Sequence, residues 1–172
     1  MHQPVLWLGP GEILLGRAVE LGWRTSRGFH TGYIHIEAAA EHSVIELCDG
    51  VQLNNDAFIK SEGAGIRIGP QALLGSEVTI YDSDFHSLDP RRRRGGFGAT
   101  APVELHENVF IGDRVTILKG VTIGRDSVIG AGSVVTRPVP AGVIAAGNPA
   151  RVVRALEDEP AQAQSLVNVN RL

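Results

Sequence analysis

The stretch Tyr81 to Pro90, YDSDFHSLDP, sets one histidine, His86, just behind two carboxylates, Asp82 and Asp84. An imidazole can take a proton from a weak nucleophile at neutral pH, and a carboxylate that accepts from its far nitrogen fixes the tautomer. Such a pair suits transfer of an acyl group to a hydroxyl or amine, because the nucleophile must lose a proton as it attacks. A loop histidine taken alone is more often simply solvated, and a backbone carbonyl can orient a ring as well as Asp84 can. The stretch by itself leaves both readings open. Asp89-Pro90 reads as a turn. The run Arg91 to Arg94 reads first as a solvated loop face, with a clamp for an anionic ligand as its functional alternative.

Something rigid must position that histidine, and it lies on both sides of it. From Leu105 to Pro140 the chain divides into six units of six residues, LHENVF IGDRVT ILKGVT IGRDSV IGAGSV VTRPVP. Their first positions are Leu105, Ile111, Ile117, Ile123, Ile129 and Val135. Their fifth positions are Val109, Val115, Val121, Ser127, Ser133 and Val139. A period of six fits neither an amphipathic helix nor strand alternation; it is the mark of a parallel β-helix, an all-β solenoid. The same rule runs through Leu47, Leu53 and Ile59, shifts by three residues at Glu62-Gly63-Ala64-Gly65, and resumes at Ile68, Leu74 and Ile80. From Ile80 to Leu105 is a step of 25 residues where six would complete a unit, so residues 81–104 form an excursion from the coil. An excursion of that length in a compact domain is commonly functional. Residues 1–33 read as an irregular segment with short strands, 34–154 as the β-helix domain, and 155–172 as a tail. Arg151 to Glu157 is compatible with a short helix.

The repeats, the excursion placed after IGPQALLGSEVTI, and the closing SVVTRPVPAGVIAAGNPARVVR together resemble the hexapeptide-repeat acyltransferases of the left-handed β-helix class. The likeness is nearest to the maltose and galactoside acetyltransferases and the sugar O-acetyltransferases of polysaccharide pathways. What the resemblance implies is a left-handed coil, a homotrimer, and acetyl-CoA held in the cleft between neighbouring subunits. It makes His86 the general base for direct transfer to a sugar hydroxyl, with Asp84 orienting it, and it puts Asn55 at the acceptor. It also brings the donor contacts onto Asp113, Ala131, Thr136, Arg137, Arg151 and Arg154. The last set makes chemical sense. Small Ala131 between Gly130 and Gly132 lets a pantetheine arm lie against backbone, and arginines engage phosphates. Phe110 is expected to line the same cleft.

Composition narrows the alternatives. The 172 residues carry a net charge of −3, 43% hydrophobic residues, 21 glycines and 5% aromatics, as expected of one globular domain with tight corners and a core of small aliphatics. The negative balance argues against a nucleic-acid partner, and no apolar run is long enough to span a bilayer, so a cytoplasmic location is expected. The single Cys48 allows neither a disulfide framework nor a cysteine-based zinc site. A zinc enzyme on the same solenoid needs histidines on the coils, and residues 107–154 contain none, so no metal is expected. The other readings that remain are an N-acetyltransferase acting on an amino sugar or antibiotic and a non-catalytic scaffold.

Overall fold

A computed structural model describes residues 3–156, and it is a left-handed parallel β-helix. Three strands make each coil. The first coil is β1 (Val5–Leu8), β2 (Glu12–Leu15) and β3 (Glu20–Leu21); the second is β4 (Ile34–Ala38), β5 (Val44–Leu47) and β6 (Gln52–Leu53). There follow β7 (Phe58–Ser61), β8 (Ile66–Ile68) and β9 (Leu73–Leu74), then β10 (Thr79–Tyr81), β11 (Val103–Leu105) and β12 (Phe110–Ile111). The fifth coil is β13 (Thr116–Ile117), β14 (Thr122–Ile123) and β15 (Val128–Ile129), and the last contains β16 (Val134–Val135) and β17 (Val143–Gly147). Strands three apart pair in parallel, giving three walls: a first wall from β1 to β16, a second from β2 to β14, and a third from β3 to β17.

The six-residue rule is the packing rule of these walls. Ile36, Ile59, Ile80, Ile117 and Val135 are mutual register partners up the first wall, and Leu47, Ile68, Leu105 and Ile123 up the second. Leu53, Leu74, Ile111 and Ile129 do the same on the third. All are buried, so each coil lays its aliphatics on those of the coil before it. Branched side chains suit such a wall because a parallel sheet turns one whole face to the core. The corners are tight, and the fourth residue of the hexapeptide, as at Asp56, Asn108, Arg114 and Asp126, sits in the left-handed region with φ between 54° and 60°.

Two regions differ from their sequence reading. Residues before 34 form a full coil, in register with the second one from Val5↔Ile34 to Leu21↔Leu53. The long corner at residues 22–33 separates this coil from the legible repeats and hides the period. The helix expected at Arg151 to Glu157 is instead β18 (Ala150–Ala155), antiparallel to β17 after a tight turn containing a cis Asn148-Pro149 bond. The free edge of β17 offers backbone groups that a strand can satisfy, and Val152 and Val153 favour that conformation over a helical one. Glu157 and the tail lie outside the described residues.

The excursion is a two-stranded arm. Ser83 bridges Thr100 and His86 bridges Phe97, both antiparallel; Asp84 N–H donates to Ala99 O at 3.0 Å, and Ala101 N–H to Asp82 O at 2.9 Å. Asp82 is fully buried at the neck. Its carboxylate accepts from Ser61 Oγ and from the N–H groups of Glu62, Ala64 and Gly65 at 2.6–2.9 Å. The insertion that shifts the repeat frame is thus the socket for the arm. Further out, a Cβ on Gly98 would lie 2.5 Å from Phe85 N and 2.9 Å from His86 N, so the returning strand presses on the backbone that carries the histidine.

Asn55 is also a structural anchor. It is fully buried; its Oδ1 accepts from Trp23 N–H at 2.8 Å, and its Nδ2 donates to the carbonyls of Trp23, Ser26 and Arg27 at 2.9–3.2 Å. With both ends of the amide consumed, nothing of it is offered to an acceptor, contrary to the sequence expectation. Asn55→Ala should therefore cost about 2 kcal/mol of stability, read by denaturant unfolding, because backbone groups lose their partners; an intact midpoint would return Asn55 to the list of ligands. In Gly98→Ala the arm should separate at its neck, since overpacking costs about 1–3 kcal/mol, and tryptic cleavage within Arg91 to Arg94 should become faster while the coil stays folded.

Candidate active site

The corner between the first and second walls carries His86. Its ring is exposed, and among the described residues no side chain holds it. Asp84, expected to steady it, turns to Lys119, whose Nζ lies 3.4 Å from its carboxylate. Phe85 stands between the two in the left-handed region, φ 61°, and breaks the alternation that would set Asp84 and His86 on one face. Asp82, the other neighbouring carboxylate, is spent on the socket. What does hold the segment is Phe85. Its N–H donates to Ser83 Oγ at 2.8 Å, and its ring meets Tyr81 edge-on at 4.9 Å.

That contact ends an aromatic column on the outer face of the first wall. His35 stacks on Phe58 with ring centroids 4.4 Å apart, and Phe58 meets Tyr81 at 5.6 Å. Lys60 Nζ sits 5.6 Å from the centre of the Phe85 ring and 3.2 Å from Glu37 Oε1. Burial works against charge on Glu37, but the hydrogen bonds from His35 and Lys60 outweigh it and hold the carboxyl below its ordinary range. The base of the arm is therefore buttressed over three coils. Period-six reading does not find this column, since outward positions are free to vary; the recurrence of rings at Phe58, Tyr81 and Phe85 is its trace.

The remaining candidates occupy two other places. At the corner between the third and first walls, Asp113 and Ala131 are stacked on successive coils, with Gly132 N–H donating to Asp113 O at 2.8 Å. Asp113 Oδ1 accepts from Ser76 N–H at 2.8 Å, yet the residue is exposed and its other oxygen has no such duty. It lines an open cleft of about 360 Å³ with Phe110, Leu73, Asn54 and Trp23. Phe110, Leu73 and Trp23 are each left nearly half exposed, giving the cleft an apolar wall. Trp23 could not be assigned to it from sequence, because the first coil's period was hidden. Ala131 stands next to Gly132, around whose Cβ position there is nothing within 4 Å, so a ligand can reach backbone here.

Thr136 and Arg137 are exposed at the end of β16, on the same corner as His86 and Lys119. Arg151 and Arg154 are exposed on β18, each with a guanidinium near a neighbouring carbonyl. The structure thus divides the sequence candidates. His86, Thr136 and Arg137 share one edge of the first wall; Asp113, Ala131 and the apolar cleft share the other, with the wall itself between them. One chain does not bring base and cleft together. Among the described residues there is no cluster of histidine, cysteine, aspartate or glutamate suited to a metal, and no helix long and apolar enough to cross a membrane.

Comparison with known proteins agrees with this architecture. Residues 102–137 match the family model described as bacterial transferase hexapeptide, six repeats. A Saccharomyces cerevisiae protein bearing an acetyltransferase name is 40% identical over 117 residues, 68% of this chain and 59% of its own length. The galactoside O-acetyltransferase of Escherichia coli is 42% identical over 93 residues, 54% of this chain and 45% of that protein. The chain therefore spans about half the length of these relatives. Among solved structures, a hexapeptide-repeat acetyltransferase of Vibrio cholerae complexed with acetyl-CoA superposes with a TM-score of 0.68 at 33% identity, over 84% of this chain and 72% of that one. At 33% identity over the aligned residues to a solved structure of which it spans 72%, the chain belongs to the hexapeptide-repeat acetyltransferase family.

Proposed function

We propose that the protein transfers the acetyl group of acetyl-CoA to a saccharide hydroxyl, with His86 as the general base. The observation that carries this is the presentation of His86. The coil breaks once for a long arm, the neck of that arm is locked by Asp82 and Gly98, and the exposed imidazole stands on it beside the corner of Thr136 and Arg137. As the hydroxyl oxygen attacks the thioester carbonyl, His86 takes its proton; the C–S bond breaks, and the proton passes on to the departing thiolate. No acyl-enzyme is needed, and Cys48, buried against the second wall with burial raising its thiol pKa, is not placed to form one.

The donor reading joins the two edges of the first wall across a pair of copies. Asp113, Ala131 and the apolar cleft of one chain would face His86, Thr136 and Arg137 of the next, with Arg151 and Arg154 at the phosphates. Three copies repeating that contact close a ring, and a homotrimer is the assembly this arrangement favours. The galactoside and acetyl-CoA named for relatives support the choice of acceptor class and donor.

His86→Ala should lower kcat by about two to four orders of magnitude with the fold intact, measured as thiol release with sugar and amino-sugar acceptors; unchanged turnover removes His86 from the mechanism. Co-expression of His86→Ala with Ala131→Trp chains should restore about a quarter of wild-type turnover although each alone is nearly inactive, because random assembly leaves that share of copy-to-copy sites intact. No restoration in mixed oligomers would mean that each chain builds its own site.

A further inference from the structure

The part of the arm beyond His86 has a charge unlike the rest of the protein. Residues 87–98 carry four arginines against the single carboxylate Asp89, a formal +3 within a chain whose total is −3. Arg91 is held by Asp89, its N–H donating to Oδ1 at 3.0 Å, and Arg93 reaches Leu88 O at 3.4 Å. Among the described residues the guanidiniums of Arg92 and Arg94 have no partner, and both residues are exposed. Four like charges so close repel one another, a cost that an incoming anion relieves.

Phe97 gives the patch its direction. It bridges His86 directly across the arm, so the two side chains project on the same face with Cβ atoms about 5 Å apart. Its ring is 97% exposed, although the other aromatics of this region are packed into the column behind Phe85. Arg94 lies three residues before it, in the turn over residues 90–95 that ends the arm, at most about 10 Å away. An open aromatic face and an imidazole thus stand at the end of one short ribbon, next to a turn that carries free guanidiniums.

We propose that this arm selects an acceptor saccharide bearing an anionic group, a carboxylate or a phosphate. Phe97 supports the apolar face of the sugar, Arg92 and Arg94 hold the anion, and a hydroxyl of the same sugar faces His86. The proposal rests on His86 being the base at this site. Guanidinium pairs match the geometry of carboxylate and phosphate oxygens, whereas a neutral sugar gives them nothing to neutralise.

The test uses the whole protein and three acceptors that share the 2-, 3- and 4-hydroxyls: methyl glucoside, the methyl glycoside of glucuronic acid with its carboxylate free, and glucose 1-phosphate. Thiol release should give a kcat/KM about fivefold to tenfold higher for at least one charged acceptor, carried by KM and falling as salt rises. Which charged sugar wins distinguishes the carboxylate from the phosphate source. In the double variant Arg92→Gln, Arg94→Gln the charged-to-neutral ratio should fall to about one. Equilibrium binding of the same three sugars to His86→Ala loaded with coenzyme A should keep the wild-type preference, and this arm of the test reads acceptor choice even if His86 proves not to be the base. Equal or better binding of the neutral glucoside, or a preference that survives in the double variant, overturns the proposal. So does a double variant that loses its oligomeric state, since the arginines would then belong to a contact between copies.

Discussion

Every feature of this protein depends on one constraint: each coil must lay its inward aliphatics on those of the coil before it while all three of its short strands pair in parallel. A strand of two residues has almost no stability of its own. It persists because columns such as Ile59, Ile80 and Ile117 fix its register and because burial of each member removes apolar surface from water. Extra chain can enter only where register is not being set, at a corner. The arm obeys this. Ile80 still pairs with Ile117 although 37 residues separate them, against 18 from Ile117 to Val135.

The same constraint accounts for the division of labour between rigid and exposed parts. The walls make flat supports, so residues at successive corners, Asp113 and Ala131 among them, are stacked at the coil spacing without any loop having to be ordered. The arm instead has to be locked. The buried Asp82 carboxylate does this by taking one hydroxyl and three backbone N–H donors, and the aromatic column transmits the rigidity of three coils to Phe85. His86 inherits a defined place from these residues, although among the described residues no side chain hydrogen-bonds to its ring.

Legibility in the sequence followed the strength of this constraint. Inward positions repeat because packing demands it, so the coil from Leu47 to Val139 could be read directly, as could the position of the excursion. The first coil could not, since the long corner at residues 22–33 cuts it off from the second and only one six-residue step, Leu15 to Leu21, falls within it. Charge and hydrogen-bond partners were less readable still. A carboxylate two residues before a histidine invites pairing, but a single left-handed residue, Phe85, sends Asp84 to Lys119. Asn55 has the polarity of a ligand and the burial of a core residue, and only the latter can be seen in three dimensions. β18 reads as a helix because the edge it completes belongs to a strand that the sequence leaves unpaired.

The neck of the arm has a consequence for how such proteins diversify. Ser83 and Thr100 close the ribbon, and Ala101 N–H returns to Asp82 O, so the coil meets the arm only through a few residues. Beyond Asp84 and Phe85, which meet Lys119 and Tyr81, residues 86–98 contribute nothing to the hydrophobic core. The tip behaves as a cassette: its length and side chains can change without altering the register of the three walls.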